Sequence, residues 1–171
     1  MHSPTKHARF ERTVLTHVDA AYNLARWIVG SHDDAQDIVQ DASLRAYRAF
    51  DTLRGDGRAW FLRIVRNACY DLADRRPTLS LDDVPTGAHA STETDPAAAA
   101  LRSTEIAGVR DALAAMPDDV REILVLRDLE DLSYKEIGDI LDVPIGTVMS
   151  RLSRARKRLR DHLTHAIGDP L

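Results

Sequence analysis

The chain has 171 residues, 44% of them hydrophobic and 29% charged, with a formal net charge of -4. That balance excludes a disordered chain, an aromatic content of 5% favours aliphatic helix packing over a β-sandwich, and no apolar run approaches the roughly 20 residues that span a bilayer. The single cysteine, Cys69, excludes an internal disulfide, and in NACYDL it falls on an apolar helical stripe, which reads as a packed core thiol.

The opening MHSPTKHARFERTV lacks the apolar core of a signal peptide, so a cytoplasmic protein is expected. From Phe10, the residues Val14, Val18, Ala21, Ala25 and Ile28 recur at steps of four and three, predicting one helix with a buried face that Gly30 ends. Ser31, with Asp34 three residues on, caps a second helix running to about Phe50 along Ile38, Ala42 and Ala46. DTLRGDG reads as a loop. A third helix carries Trp60, Phe61, Ile64, Val65, Ala68, Cys69 and Leu72 on its apolar face, with a second, partly basic stripe of Arg63, Arg66, Asn67, Tyr70 and Asp74.

Between Pro77 and Leu101 there is no Lys or Arg, while Pro77, Pro85, Pro96 and the acids Asp82, Asp83, Glu93 and Asp95 accumulate, which is linker composition. Asp95-Pro96 opens a helix through Leu101, Val109, Leu113 and Met116 that Pro117 closes. A short helix follows over 118–130, Ser133-Tyr-Lys-Glu136 is a full capping box for the next, Asp142-Val143-Pro144 stops it, and a last helix runs from about Ile145 to His162, burying Val148, Leu152, Ala155 and Leu159. The expected fold is all-α: two small helical domains joined by a flexible acidic linker, the second a helix-turn-helix. The boundaries are 1–76, 77–100 and 101–171.

Two helices joined by a tight turn, the second with small and polar residues at its start, are the pattern whose second helix enters the major groove. Ser150, Ser153 and Arg154 project opposite Val148 and Leu152, where base edges are within reach, and Arg154 suits bidentate contact with guanine. Arg156, Lys157, Arg158 and Arg160 lie further along and suit phosphates.

The run LSYKEIGDILDVPIGTVMSRLSRARKRLR closely resembles the C-terminal domain of bacterial sigma factors of the extracytoplasmic-function group, usually LSYxEIAxxLxxPxGTVxSRLxRARxxLR. DDAQDIVQDASLRAYRAF resembles that family's AEDLVQETFLRAWR segment, and RAWFLRIVRNACYDLADRR resembles RAWLYRIARNLAIDYLRRR. The three runs stand in the family's order on either side of the acidic linker.

The resemblance implies a factor that binds core RNA polymerase and directs it to a stress-type promoter. It places reading of the duplex minus-thirty-five element on Thr147, Met149, Ser150, Arg151, Ser153, Arg154, Arg156, Lys157 and Arg158. It places the melted minus-ten element on the loop Leu53, Arg54 and Gly55, on the helix residues Arg63, Arg66, Asn67 and Tyr70, and on Arg75 and Arg76. Asn67 stands where the family recognises an unstacked base, a task suited to an amide that both donates and accepts. Contact with a coiled coil of the polymerase's largest subunit falls to Asp37, Gln40, Asp41, Leu44 and Arg45. The linker would thread the polymerase, and a cognate anti-sigma factor is a further expected partner. No enzyme activity, cofactor or small-molecule substrate is implied, and promoter opening would be driven by binding energy.

Three positions depart from the family pattern. Ser43 replaces a usual phenylalanine, Asp74 puts an acid among usual bases, and Met149 replaces a frequent Lys or Arg. Two other readings of the residues remain: an autonomous repressor or activator on duplex DNA, and a helical frame for a metal hydrolase, for which His162 and His165 have ligand-compatible spacing but no cluster completing a tetrahedral set.

Overall fold

A computed structural model describes residues 5–76 and 96–167. The expectations for the stretch 77–95, the greater part of the acidic linker, lie outside the described residues. The single helix expected from Phe10 to Gly30 is broken: α1 spans Lys6–Thr13, a 3-10 turn spans Leu15–His17, and α2 spans Val18–Val29. The break falls at Val14, whose backbone leaves the helical region at φ -121. Adjacent β-branched Thr13 and Val14 are weak helix formers. The start of the helix following the loop also presses here, since a Cβ on Gly57 would lie 2.5 Å from Thr13 Cγ2. Phe10 and Val14 are buried all the same.

Gly30 ends α2 in the left-handed region at φ 73, its N–H donating to the Arg26 carbonyl at 3.0 Å. The Ser31 hydroxyl oxygen accepts from the Asp34 amide at 3.3 Å and starts α3 (His32–Ala49). Asp56 caps α4 (Gly57–Arg75), its carboxylate accepting from the Arg58 and Ala59 amides at 3.1 and 3.4 Å. Helices α2, α3 and α4 pack on one another around Leu24, Ile38, Ala42, Phe61, Val65 and Cys69. Leu62, outside the apolar stripe read from the sequence, is fully buried as well, because α4 has neighbours on more than one side.

In the second half α5 (Pro96–Ala114) begins at Pro96, inside the stretch assigned to the linker. The expected short helix over 118–130 divides into α6 (Asp118–Leu124) and a π-type turn, Val125–Leu129. The capping box holds as read: Ser133 Oγ accepts from the Glu136 amide at 3.1 Å, and Glu136 Oε2 accepts from the Ser133 amide at 2.7 Å, opening α7 (Tyr134–Leu141). Asp142 turns the chain in the left-handed region at φ 56, and α8 (Ile145–Ile167) runs past the expected end at His162.

The halves are not held apart. α4 lies along α7, and α2 touches α6. Every residue from Arg121 to Leu126 is buried, which an amphipathic helix on a single domain's surface is not. α6 is covered by α8 on one side and by the N-terminal half on the other.

Candidate nucleic-acid interface

α8 is anchored by Val148, Leu152 and Ala155, all buried. Its opposite face presents Ser150, Arg151, Ser153, Arg154, Lys157 and Arg158 to solvent, with Thr147 half-buried at one flank. Arg154 Nε bonds only locally, to the Ser150 carbonyl at 3.3 Å. Lys157 pairs with Asp161 at 2.8 Å, one turn on. Arg156 is turned toward Asp128, with N···O of 2.5 Å, a surface pair that an incoming phosphate can exchange. Met149 and Ile145, one turn apart at the helix start, are about half exposed at 53% and 48%.

On α4 the partly basic stripe is in place. Asn67 and Arg63 face solvent, while Arg66 and Tyr70 are half-buried. The Arg66 guanidinium lies 4.6 Å from the Tyr70 ring centroid. Leu53 is half-buried at the loop, and Arg54 and Gly55 are exposed, with Arg54 Nη1 donating to the Asp51 and Leu53 carbonyls at 3.1 and 2.9 Å. Gly55 has φ 79, a conformation glycine adopts without penalty. At the far end Arg75 is exposed and Arg76 pairs with Asp34 at 3.1 Å. Below the stripe Cys69 is buried, and burial pushes its thiol up to about 12.

On α3, Asp37, Gln40, Asp41, Leu44 and Arg45 are all exposed, and Arg45 pairs with Asp41 at 2.8 Å. Asp37, Gln40 and Leu44 stand at the rim of an open groove of about 900 Å³ that also involves Phe10, Val18, Tyr22, Ser43 and Tyr47. Ser43 spends its hydroxyl on the Val39 carbonyl at 2.7 Å, so it presents a small, internally satisfied side chain to the groove.

Residues 13–77 match the family described as Sigma-70 region 2, and residues 106–159 match Sigma-70 region 4. The chain is 35% identical to the ECF RNA polymerase sigma-E factor of Escherichia coli, over 74% of this chain and 72% of that protein. It is 31% identical to the ECF RNA polymerase sigma factor SigW of Bacillus subtilis, over 85% of this chain and 83% of that protein. It belongs to the extracytoplasmic-function sigma factors of the sigma-70 family. A longer relative, ECF RNA polymerase sigma factor SigE of Mycolicibacterium smegmatis, is 33% identical, and the chain spans 61% of its length. Among solved structures, the fold is similar to the Bartonella quintana sigma factor RpoE in complex with the anti-sigma factor NepR, with a TM-score of 0.72, 26% identity and coverage of 91% and 97%. CnrH in complex with the cytosolic domain of CnrY gives a TM-score of 0.67 and 27% identity, covering 94% of this chain and 90% of CnrH.

In this sigma factor the stripe on α4 meets the second helical half directly. Arg66 grips Glu122 on α6 with Nε and Nη2, the latter at 3.3 Å from Oε2, and Tyr70 Oη donates to the same carboxylate at 3.1 Å. Arg58 donates to the Glu130 carbonyl, and Asn23 Nδ2 donates to Glu130 Oε1 at 3.1 Å. Arg63 Nη1 lies 3.4 Å from the Asp139 carbonyl oxygen and its guanidinium 3.8 Å from the Asp142 carboxylate. Glu122 is 3% exposed. Burial raises its pKa more than Arg66 and Tyr70 lower it. Burial works against the charge on Arg66, but Glu122 and Tyr70 together outweigh it and hold the guanidinium above its ordinary value. Glu122, Glu130 and Asn23 escaped the sequence reading. The one local sign was an acid directly before the apolar pair Ile123-Leu124.

Proposed function

We propose that the chain is the promoter-specificity subunit that joins core RNA polymerase, recognises a minus-thirty-five element as duplex through α8, and captures the melted minus-ten strand on α4 and the loop before it. The observation that carries this reading is the presence of both sigma-70 regions on one chain in the family's order. The residue assignments follow from that order and from exposure. Ser150, Ser153 and Arg154 stand together on the open face of α8, suited to base edges, while Arg151, Lys157 and Arg158 suit phosphates. Asn67 and the loop around Gly55 are open to solvent, as a site for an unstacked base requires.

The polymerase surface is the α3 face carrying Asp37, Gln40, Asp41, Leu44 and Arg45, with the apolar groove beside it. An anti-sigma factor is a second partner of this reading, supported by the similar Bartonella quintana structure, which holds the sigma factor RpoE in complex with the anti-sigma factor NepR. The domains of the reading are 1–76 and 101–171 with 77–100 between them. It involves no catalysis by the chain itself and places the protein in the cytoplasm. Among the described residues no helix is long and apolar enough to cross a membrane.

The deciding experiment is in vitro transcription from a genomic DNA library with and without added core enzyme. Transcripts from a discrete promoter set only in the presence of both proteins are expected. Tight specific duplex binding by the chain alone, with no core-dependent transcripts, would establish an autonomous repressor or activator instead.

A further inference from the structure

We propose that Met149, backed by Ile145 one turn earlier, selects a thymine in the minus-thirty-five duplex through apolar contact with the thymine 5-methyl group. This deepens the function proposed above and rests on it.

Position carries the argument first. Ile145, Met149 and Ser153 are all exposed and follow one another at steps of four, so they share one line along α8. Ser153 belongs to the face suited to base edges, and Met149 precedes it by one turn. Helical side chains lean toward the N-terminus of their helix, so Met149 covers the end of α8 that reaches base edges in a helix-turn-helix. The run IGTVMS from Ile145 to Ser150 holds no charge, and the cations begin at Arg151. The start of α8 therefore offers the duplex shape and apolar surface, and the rest of the helix offers charge.

Burial comes second. Ile145 and Met149 are both about half exposed, and neither belongs to the hydrophobic core, which α8 enters through Val148, Leu152 and Ala155. Packing within the chain gives no reason for a large apolar side chain at either position. Next to Ile145, Gly146 presents no side chain, and no atom lies within 4 Å of where its Cβ would stand. The first turn of α8 is slim, with room for a duplex to close on it.

Chemistry then selects the base. Of the four bases only thymine presents a methyl group in the major groove, while cytosine and adenine present amino donors there. An amino group covered by a thioether loses water and gains at best a weak acceptor. The unbranched methionine side chain, with its polarizable sulfur, adapts to the position of the methyl group. The Lys or Arg frequent at this position in the family would carry a charge to a phosphate and make no such choice.

The test uses the full chain with core enzyme, on promoters recovered in the transcription experiment above. Each thymine of the upstream element is replaced in turn by uracil, which keeps every hydrogen-bonding group and removes only the methyl. Holoenzyme affinity is measured for the parent, Met149→Leu and Met149→Ala, and circular dichroism checks that each variant keeps its helices. Alanine is the best helix former, so the shortened side chain is compatible with α8.

One thymine is expected whose replacement weakens binding by the parent about fourfold, the worth of one buried methyl group. The same replacement should cost Met149→Leu nearly as much and Met149→Ala nothing, a non-additivity that marks direct contact. Equal losses in parent and Met149→Ala at every thymine, or no loss at any, would overturn the assignment. An upstream element without thymine would overturn it too. If no promoter is recovered with core enzyme, the function reading itself fails and takes the assignment with it, a result distinct from promoters that are indifferent to uracil.

Discussion

Arg66 and Glu122 stand 56 residues apart in the chain, on α4 and α6, and meet as a two-pronged ion pair. The arginine is 25% exposed and the carboxylate 3%. Removing the arginine leaves an acid with only the Tyr70 hydroxyl to answer it. Loss of one partner of a buried pair costs several kcal/mol, and the open edge of Arg66 moderates this. Arg66→Ala is expected to lose about 2 kcal/mol of stability in urea titration. A loss within error of zero would mean that the pair is absent in solution.

Folding stability acquires a pH dependence at Glu122. Burial holds its carboxyl above the ordinary range, Arg66 and then Tyr70 oppose this, and Asp119 adds to it. Between the ordinary and the raised pKa the folded chain binds more protons than the unfolded one, so this contribution is complete below the ordinary carboxylate value of about 4.3 and is lost as pH rises through the raised value. The stability of the parent relative to Glu122→Gln in urea titration is expected to be greater near pH 5 than near pH 8. His17, whose pKa is lowered first by burial and then by Arg58, works in the opposite sense, but it is common to both proteins and cancels in the difference.

Met149 is 53% exposed on α8, so Met149→Lys is expected to leave the melting temperature unchanged. Beside Arg151 and Arg154 it should restore one phosphate contact. The slope of log binding constant against log salt for promoter duplex should then steepen by about 1. An unchanged slope would place residue 149 away from the backbone.

Gly57→Ala tests the packing between α1 and α4. The new Cβ would meet Thr13 Cγ2 at 2.5 Å and its carbonyl oxygen at 2.7 Å, and the oxygen belongs to backbone that cannot swing aside. A cost of about 1–3 kcal/mol is expected, as for other overpacked sites. Gly55→Ala is the contrast, because no atom lies within 4 Å of its Cβ. There only the left-handed backbone at φ 79 carries a penalty, of about 1 kcal/mol.

Local chemistry was legible in the sequence where one segment decides its own structure. The Ser133–Glu136 capping box, the Gly30 stop and the exposed stripe of Ser150, Ser153 and Arg154 each depend on neighbours within a turn or two, and each is found in place. The break at Val14 was not legible, because Phe10, Val14 and Val18 keep helical spacing through it, and part of its cause, Gly57, lies far along the chain. The contact between the halves was the least legible of all. Arg66 reads as a free cation and Glu122 as a surface acid until the fold brings them together across a stretch whose composition says only that it is a tether.

The lone cysteine has a consequence of its own. Cys69 is fully buried, and its thiol is pushed up to about 12, so almost none of it exists as the thiolate that oxidants and electrophiles attack. The folded chain is therefore deaf to thiol chemistry. An oxidative signal that reaches this factor is not read at Cys69 while the chain is folded.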